Sequence, residues 1–452
     1  MRAMIQTSIG TLPRENIEGK LVMSRKAESG GGAPVWYEAG LRHAWLPYAQ
    51  MKTAAAPLPV VRTHGCRIAL ADGRELIDGV ASWWTACHGY NHPYLRAAIE
   101  RQLAVMPHVM FGGLAHEQAL TLARRLAALA PGDLDHVFFS ESGSVAVEIA
   151  MKMAIQFWRN RHMPARRKFM AFRGGYHGDT TGAMSICDPD TGMHKLFAPL
   201  LPAHHVIDLP LDEQGAERFA RCLDRHAGEL AGIIVEPLVQ GAGGMRFHDA
   251  TVLQLLRKSA DRYELLLICD EIFTGFGRTG SLFACEAAGV VPDIMTLSKA
   301  LTGGMLPLAA TIARKKVFDA FWSDDPAHAL MHGPTFMANA LGCAAANASL
   351  DLLEREPRLR QVAEIAAGLA RGLAPCRGLD GVKEVRVKGA IGVVELERIG
   401  DLDRLRAQFA QAGVFVRPFG SIIYLTPAFT IAQDELAILT GAIVEAVSRG
   451  VC

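Results

Sequence analysis

The sequence predicts an α/β protein: a large domain built on a mostly parallel sheet, and a smaller α+β domain. Short apolar segments recur in the middle of the chain, and several end in a glycine-rich or acidic turn. His136–Phe139 is one such segment; the turn 140–144 follows it, and then apolar positions at helical spacing over 145–158. From about Glu354 helices alternate with short strands, which indicates a separate C-terminal domain.

The other predicted elements each have a local signal. A hairpin over 67–80 turns at Asp72-Gly73, a dipeptide that favours tight turns between alternating apolar positions. Helical spacing follows over 94–129, where Pro107 and the glycines of 111–113 interrupt it. The remaining signals predict strands over 168–172, 232–236, 265–271, 381–388, 391–396, 414–417 and 421–426, and helices over 338–352, 401–412 and 432–449.

These elements divide the chain into four predicted parts. Residues 1–38 are polar, contain three consecutive glycines, and are expected to form a poorly ordered N-terminal extension. Residues 39–93 are expected to join the small domain. The large domain then covers 94–345, and the C-terminal small domain covers 346–452.

Composition excludes several classes of protein. The chain has 452 residues, half of them hydrophobic, which is enough for a large core. Its 47 basic and 46 acidic residues leave a net charge of +1. The chain therefore lacks the excess of positive charge that favours binding to nucleic acid or to an anionic membrane. No apolar run reaches the roughly 18 residues needed to span a bilayer. Nine scattered cysteines without a C-x-x-C pair predict reduced thiols in a cytoplasmic protein, with no disulfide frame or zinc site.

Two predicted strand ends carry the strongest chemical signal. The apolar stretch before Lys299 puts its ammonium group where it is hard to solvate, and desolvation lowers the pKa of an amine. An earlier apolar strand ends on Asp270-Glu271. A strand-end acid followed by a strand-end lysine is typical of a pyridoxal phosphate site, with the acid on the pyridinium nitrogen and the lysine on the aldehyde. For any single lysine, a surface position at the end of a loop is the alternative.

Two turns are suited to the other parts of such a cofactor. The turn before the helix at 145–158 places backbone N–H groups of Gly143 and Ser144 at the positive end of the helix dipole, which favours a phosphate. Ser144 as a simple helix cap is compatible with this. In segment 173–180 the glycines allow close approach to a flat ligand, and the ring of Tyr176 can lie on it. His177 and Asp179 are a possible catalytic pair, but are expected to hold the loop.

Together these motifs resemble those of the class III pyridoxal-phosphate aminotransferases. The resemblance rests on Asp270-Glu271, the segment 274–280, Ser298-Lys299 and Gly303-Gly304, and extends from about Leu41 to the end. It implies fold type I of the PLP-dependent transferases, with a seven-stranded sheet in the large domain and pyridoxal 5'-phosphate as cofactor. It also implies a homodimer whose active sites are shared between the two chains.

The resemblance also implies roles for individual residues. The catalytic residues would be Lys299, Asp270 and Tyr48. The cofactor would be bound by Gly143, Ser144, Tyr176, Asp270 and Lys299, and by Pro334 and Thr335 of the neighbouring subunit. The substrates would be bound by Tyr48, Trp83, Tyr176, Lys299, Gly333, Arg417 and Tyr424. Glu236 matches a glutamate that faces the site, with a less certain role.

Three aromatic side chains and one distant cation predict a long aliphatic substrate that carries a carboxylate. The aromatic walls are Tyr48, Trp83 and Tyr176, and the cation is Arg417. The resemblance implies amination of 8-amino-7-oxononanoate to 7,8-diaminononanoate in biotin biosynthesis, with S-adenosylmethionine as donor. Another class III ω-aminotransferase, acting on ornithine or 4-aminobutyrate or using lysine as donor, is the alternative. No residue decides between S-adenosylmethionine and lysine.

Two other motifs suggest rival functions. Gly275–Gly280 satisfies G-x-G-x-x-G, but no clean helix follows it and no acid lies about 20 residues beyond, so a dinucleotide site of a nicotinamide oxidoreductase is disfavoured. His88 and His92 lack a third metal ligand, and no metal is predicted. A cofactor-binding protein without turnover is the non-enzymatic alternative.

Overall fold

The computed structural model describes residues 33–190 and 193–450. Of the extension predicted over 1–38, residues 1–32 lie outside the described part. The remainder contains a helix, Val35–Leu41, which the sequence analysis missed. None of its residues is buried, and one of its few contacts is a hydrogen bond from the Tyr37 hydroxyl to the carbonyl oxygen of Pro57. Such an isolated, exposed helix has no amphipathic pattern by which to predict it.

Helices and strands alternate through the described part of the chain. The helices are Val35–Leu41, Pro93–Val105, Glu117–Leu129, Gly143–Asn160, Thr181–Ser185, Glu213–His226, Ala250–Arg262, Ala284–Ala287, Lys315–Asp319, Ala340–Arg355, Arg358–Leu373, Leu402–Gln411 and Gln433–Ser448. The strands are β1 (Val60–His64), β2 (Arg67–Leu70), β3 (Glu75–Asp78), β4 (Leu134–Ser140), β5 (Lys168–Phe172), β6 (His205–Ile207), β7 (Leu230–Val235), β8 (Val239–Gln240), β9 (Arg246–Phe247), β10 (Leu266–Asp270), β11 (Ile294–Leu297), β12 (Ala309–Arg314), β13 (Val382–Lys388), β14 (Ile391–Leu396), β15 (Val414–Phe415) and β16 (Ile422–Leu425).

The central sheet has seven strands in the order β4-β12-β11-β10-β7-β5-β6. Strands β11, β10, β7, β5 and β6 run parallel, whereas β12 is antiparallel to both of its neighbours. The predicted α/β fold with a mostly parallel seven-stranded sheet is therefore confirmed. Because β10 and β11 are parallel neighbours, their carboxyl ends lie side by side at one edge of the sheet, where ligands bind in open α/β sheets.

Both faces of this sheet are buried at its centre, which explains why β7 and the first four residues of β10 are apolar without interruption. On β10, Leu267 and Cys269 pack into one hydrophobic cluster, and Leu266 and Ile268 pack into a second cluster on the opposite face. The helix Gly143–Asn160 supplies much of the second cluster. Since successive side chains of a strand point to opposite faces, a sheet covered on both sides needs apolar residues at every position.

The two ends of the described chain meet in a smaller sheet. The predicted hairpin is confirmed as the antiparallel pair β2–β3, to which β1 adds a strand that was not predicted. Strand β15 pairs in parallel with β3, with Val414 opposite Ile77. Strands β13, β14 and β16 form a separate antiparallel sheet. These pairings join residues before 93 to residues after 345, and the domain boundaries themselves stay predictions.

Two further features concern the helices and the thiols. In the described ranges, no helix is at once long and apolar enough to cross a membrane. The eight cysteines within these ranges are all free thiols, and Cys222 alone among them is not buried.

Candidate active site

Parallel pairing brings Asp270 and Lys299 to one cleft. Asp270, the last residue of β10, lies in register with Thr296 of β11, and Lys299 follows two residues after β11 ends. Asp270, Ser298 and Lys299 all line a cleft of about 530 Å³ that is partly open to solvent.

Asp270 is buried and accepts three hydrogen bonds. Its Oδ2 lies 2.7 Å from Nδ1 of His177, and its Oδ1 accepts from the Thr296 hydroxyl at 3.1 Å and from the backbone N–H of Ile272 at 3.2 Å. Burial alone would lower the pKa of His177, but the hydrogen bond and negative charge of Asp270 outweigh it and raise that pKa. The carboxylate is therefore held in one orientation by an imidazole whose charged form it favours.

The pairing of His177 with Asp179 considered from the sequence does not occur. His177 points to Asp270, and Asp179 points to a group of tyrosines. Between them Gly178 has a φ of +125°, which turns the backbone so that the two side chains diverge. A partnership between His177 and Asp270 across 93 positions of sequence has no local signal.

The amine of Lys299 lies among aromatic rings, with no hydrogen bond or ion pair to another described residue. Its Nζ is 4.2 Å from the centroid of the Trp84 ring and 5.8 Å from that of Phe273. Burial lowers the pKa of Lys299 to about 8, although the charges of Asp270 and Glu236 oppose the change. Lys299 also has a φ of 47°, an uncommon conformation for a residue other than glycine and one that clusters at functional sites. A substantial fraction of this amine is neutral and nucleophilic in mildly alkaline solution.

Glu236 lies in the same cleft, with both carboxylate oxygens occupied. One oxygen accepts from the backbone N–H of Tyr176 at 2.9 Å, and the other from that of Gly241 at 2.8 Å. Burial raises the pKa of Glu236 to about 7; Asp270 adds to the shift and His177 opposes it. The glutamate thus fixes the backbone that carries Tyr176 and contributes little charge below neutral pH.

The first turn of the 18-residue helix Gly143–Asn160 forms another wall of the cleft. The helix is capped by Ser142, whose side chain accepts from Val145 N–H at 3.4 Å, so the alternative of Ser144 as the cap is wrong. The Ser144 hydroxyl instead accepts from the backbone N–H of Asp179 at 3.2 Å. A Cβ at Gly178 would lie 2.1 Å from Ser144 Oγ, so only glycine allows the two segments to approach this closely.

Asp179 connects the two predicted substrate-binding tyrosines. One of its oxygens accepts from the Tyr176 hydroxyl at 2.9 Å and from Nε2 of His194 at 2.8 Å, and the other accepts from the Tyr48 hydroxyl. Burial alone would raise the pKa of Asp179, but these donors together lower it. The sequence analysis missed this role, because Tyr48 precedes Asp179 by 131 positions.

The tandem tryptophans lie on a left-handed turn. Residues 81, 82, 83 and 84 have φ values of 45°, 50°, 55° and 75°. The buried carboxylate of Asp78 holds this turn by accepting from backbone N–H groups at 80 and 82 (2.8 and 2.9 Å) and from the Tyr90 hydroxyl (2.6 Å). The turn separates the two rings: Trp84 lies under Lys299, and Trp83 meets Tyr48 edge-on at 6.1 Å. No local sequence pattern indicates the role of Asp78.

Arg417 and Tyr424 lie beside these rings. The Arg417 guanidinium is 4.9 Å from the centroid of Trp83, and it makes no ion pair with any described carboxylate. Burial lowers its pKa, and the nearby charge of Arg406 adds to the effect. Tyr424 is buried on β16, with its ring 6.4 Å from that of Trp84. A half-buried, unpaired guanidinium is suited to a ligand carboxylate.

Gly333, Pro334 and Thr335 are not among the residues that line the cleft of their own chain. Gly333 and Thr335 are exposed, and so are the neighbouring large side chains of Met331 and Phe336. The structure of one chain therefore brings the other predicted cofactor-binding residues together and leaves this segment outside.

The two rival motifs have structural roles. The glycine-rich segment at 275–280 is an irregular loop, and the helix that follows it, Ala284–Ala287, has only four residues. Its buried Arg278 donates to the carbonyl oxygens of Pro427 at 2.7 Å and Ala390 at 3.3 Å. Both ring nitrogens of His88 are also occupied, by Ser349 at 3.0 Å and Arg358 at 3.2 Å.

The family follows from a comparison with known proteins, in which a model of "Aminotransferase class-III" matches residues 48–447. The chain belongs to the class III aminotransferases. The adenosylmethionine-8-amino-7-oxononanoate aminotransferase of Mycobacterium leprae is 49% identical to it over 89% of this chain and 94% of that protein. The enzyme of the same name from Corynebacterium glutamicum is 43% identical over 90% of this chain and 97% of that protein.

Solved structures agree with this class III assignment. The adenosylmethionine-8-amino-7-oxononanoate aminotransferase of Methanocaldococcus jannaschii superposes with a TM-score of 0.86 at 30% identity, over 91% of this chain and 98% of that one. A PLP-bound amine transaminase from an uncultivated Pseudomonas species superposes with a TM-score of 0.83 at 33% identity, over 90% and 98% of the two chains. The protein is a transaminase, and its cofactor is pyridoxal 5'-phosphate.

The groups around the cleft fit this cofactor. An aldehyde needs a nucleophilic amine, a pyridinium nitrogen needs a carboxylate, and a phosphate needs backbone N–H groups. The cleft supplies all three from Lys299, Asp270 and the helix start at Gly143 and Ser144. Because residue 178 is a glycine, no side chain at that position covers this helix start.

Proposed function

We propose that this class III aminotransferase transfers the amino group of S-adenosylmethionine to 8-amino-7-oxononanoate, giving 7,8-diaminononanoate for biotin biosynthesis. Relatives that match nearly their whole length at 49% and 43% identity carry the name of this activity. The structural observation that supports it most directly is the unpaired Arg417 beside Trp83. Arg417 lies over the Trp83 ring and the Lys299 amine over the ring of the next residue, Trp84, an arrangement suited to an acceptor with a carboxylate distant from its reacting carbon.

In this proposal, the residues of the cleft divide the work of binding the cofactor. Lys299 would hold the aldehyde carbon, Asp270 the ring nitrogen, and Gly143 and Ser144 the phosphate. His177 keeps the Asp270 carboxylate aimed through its 2.7 Å hydrogen bond. Glu236 fixes the backbone of Tyr176, whose ring would lie against the cofactor. Bound in this way, pyridoxal phosphate withdraws electrons from the substrate carbon next to the amine.

Proton transfer falls to Nζ of Lys299. Its pKa, lowered by burial to about 8, allows the amine to accept a proton from the substrate carbon and to return it. The rings of Trp84 and Phe273 exclude water from this atom and limit its path. Tyr48 closes the opposite side, where its hydroxyl and that of Tyr176 share Asp179.

Substrate binding is assigned to the aromatic walls and to Arg417. Tyr48, Trp83 and Tyr176 would contact the aliphatic chain of the acceptor. Tyr424 packs edge-on against the neighbouring ring of Trp84. Arg417 binds the carboxylate in a bidentate manner.

A donor screen tests the substrate assignment. Purified holoenzyme is mixed with one donor at a time, and the visible absorbance of the bound cofactor is followed in a single turnover. S-adenosylmethionine should bleach it, and 8-amino-7-oxononanoate should then restore it. Bleaching by ornithine, 4-aminobutyrate or lysine, with no response to S-adenosylmethionine, would instead favour another class III ω-aminotransferase. The similarity to an amine transaminase at 33% identity keeps that candidate in the test.

The proposal includes a homodimer in which Gly333, Pro334 and Thr335 of one chain complete the site of the other. Their exposure and their absence from the cleft of the same chain support it. Lys299→Ala and Thr335→Asp chains, each inactive alone, can be mixed under conditions that allow subunit exchange. If sites are shared, hybrid dimers contain one intact site, and random pairing restores about a quarter of wild-type activity. If each site belongs to one chain, no activity returns.

We also propose a cytoplasmic location. Free, mostly buried thiols are typical of proteins kept in a reducing compartment. Fractionation of cells that express the full chain would test it.

A further inference from the structure

A cluster of metal-ligating side chains lies away from the cleft, at the edge of the central sheet. His205 is the first residue of β6, the outermost strand. Cys222 and His226 lie one helical turn apart on Glu213–His226, so both side chains project from the same face of that helix. One ligand atom from each of the three lies within 4.8 Å of the others. None of the three belongs to the active site.

A fourth donor, Glu229, lies between the two imidazoles. Its Oε1 is 2.8 Å from Nε2 of His205 and 2.9 Å from Nδ1 of His226. The rings are tilted against each other with centroids 4.2 Å apart. Lys168 occupies only the other oxygen, Oε2, at 2.9 Å. One carboxylate oxygen thus joins the two imidazoles that, with Cys222, make up the three-residue cluster.

We propose that His205, Cys222, His226 and Glu229 form a binding site for a divalent transition metal, with Zn²⁺ as the fitting ion. Thiolate, imidazole and carboxylate in a set of four are the donors of tetrahedral zinc sites. Zn–N and Zn–S bonds of about 2.0–2.3 Å place neighbouring donors roughly 3.5 Å apart. His205, Cys222 and His226 already have ligand atoms within 4.8 Å of one another, and rotations of these partly exposed side chains would close the remaining distance. Glu229 would join them from its position between the two imidazoles. The thiol releases its proton to solvent, and each imidazole presents an unprotonated nitrogen.

The surroundings favour a cation and indicate a structural role. His226 is the last residue of its helix, where the carbonyl ends of the dipole attract positive charge. With four protein donors, no position remains open for substrate. The ion would tie the C-terminal end of the helix to edge strand β6 and would leave transamination unchanged.

A zinc site is usually marked in sequence by a pair of closely spaced cysteines, which this chain lacks. Here the helix contributes two donors one turn apart, the following turn contributes Glu229, and His205 joins from an earlier strand. The proposal differs from the expectation, drawn from the sequence, that the chain holds no metal.

Cobalt substitution tests the site in the holoenzyme. Co²⁺ added to the full chain should give one equivalent of tetrahedral complex, read from visible d–d bands at longer wavelengths than the cofactor absorbs. Zn²⁺ should abolish these bands by displacing the cobalt. Cys222→Ser and His226→Ala should each lose them, whereas His136→Ala should keep them. His136 is the matched control because it pairs with Asp135 at 2.5 Å but has no thiol nearby. Absence of tetrahedral bands, or bands that persist in Cys222→Ser, would overturn the proposal.

A second test measures thiol reactivity and leaves all four proposed metal-binding residues in place. Among the eight described cysteines Cys222 alone is partly exposed. Cys452 lies outside the described residues, so the test uses the Cys452→Ser variant, in which Cys222 should be the fastest-reacting thiol. In this variant Zn²⁺ should slow the reaction of Cys222 with Ellman's reagent by at least tenfold, with no change in kcat. An unchanged rate at saturating Zn²⁺ would contradict metal binding at Cys222.

Discussion

The floor of the active-site cleft and its rim are built in opposite ways. The floor comprises Lys299, Asp270, His177 and Glu236. It lies at the ends of buried parallel strands and the loops beside them. The rim comprises Tyr48, Trp83, Asp179 and Arg417, which are not among the lining residues but lie next to the lining residues Tyr176 and Trp84 or to one another. It is formed by loops, and Tyr48 and Trp83 are 58% and 40% exposed.

The two regions differ in the surroundings of their charged groups. On the floor, buried ionisable groups shift one another: Asp270 raises the pKa of His177, and burial lowers that of Lys299. On the rim, Arg417 has no carboxylate partner among the described residues, and a ligand can supply one. We therefore expect floor substitutions to lower kcat, and rim substitutions to act mainly on KM and substrate choice.

The largest effect is expected at Lys299. Lys299→Ala removes the group that transfers the proton, so kcat should fall by at least about 10²–10⁴-fold. Sodium borohydride, which fixes the cofactor onto the lysine that holds it, should leave the Lys299 peptide labelled in wild type and unlabelled in the variant. Lys258→Ala, an exposed lysine on helix Ala250–Arg262, is the control and should behave as wild type. Retained turnover in Lys299→Ala would remove the proposed mechanism.

Asp270→Asn should come next, with a fall in kcat of roughly 10²–10⁴-fold, because an amide keeps the shape but not the charge that protonates the ring nitrogen. The pKa of His177 should drop in this variant, since burial lowers it and only the smaller effect of the Glu236 charge would remain to oppose burial. Its titration can be followed by NMR.

Asp293→Asn is the matched comparison. Asp293 is also buried, but it directly precedes β11 and pairs with Arg257 at 2.8 Å. This change should lower Tm and leave kcat of the folded enzyme unaltered. Equal losses of kcat in both variants would mean that Asp270 acts only through stability.

Arg417→Gln should have a smaller effect on catalysis than the substitutions on the floor. Loss of a charge-assisted bidentate contact should lower kcat/KM for the carboxylate-bearing acceptor about 10–100-fold, mostly through KM. Steady-state kinetics are measured with the acid and with its methyl ester. The variant should have a lower kcat/KM for the acid, whereas kcat/KM for the uncharged ester should change little. Arg404→Gln, an exposed arginine on the nearby helix Leu402–Gln411, serves as control. An unchanged KM for the acid would exclude Arg417 from carboxylate binding.

Asp179→Asn should be milder again. The carboxylate accepts from two tyrosines and a histidine, and an amide can satisfy only part of this set. We expect kcat/KM to fall about tenfold, as for one weakened charged hydrogen bond. Asp190→Asn, which alters an exposed pair with Arg173, should have no effect on kinetics. A wild-type kcat/KM in Asp179→Asn would show that the tyrosines do not need this anchor.

The smallest effect is a pH dependence of stability from Glu236. Its pKa is about 7 in the folded protein, against an ordinary value of 4.5, because burial disfavours the carboxylate. Between these values the folded state holds a proton that the unfolded state has lost, so the stability from Glu236 falls as pH rises from 4.5 to 7. The Tm difference between wild type and Glu236→Gln should therefore decline across this window and level off above it. A flat difference would show an unshifted carboxyl group.

Much of the fold was predictable, because its signals are local. The apolar runs of β5, β7 and β10 and the dipeptide Asp72-Gly73 act over a few residues. The position of Asp270 and Lys299 in one cleft was also predictable from the sequence, since parallel strands place their carboxyl ends at one edge of a sheet. The roles of His177, Asp179 and Asp78 were not, because each depends on a partner or backbone turn that no neighbouring residue marks.

The sequence by itself determined which residues carry reactive chemistry and which strands bury them, because side-chain type and apolar spacing are properties of short segments. Tertiary structure alone decided which carboxylate meets which imidazole, how the left-handed turn at 81–84 separates its two tryptophans, and that His205 meets Cys222 and His226. Those outcomes depend on distances between segments far apart in the chain. Packing of the whole core sets these distances, and no local preference encodes them.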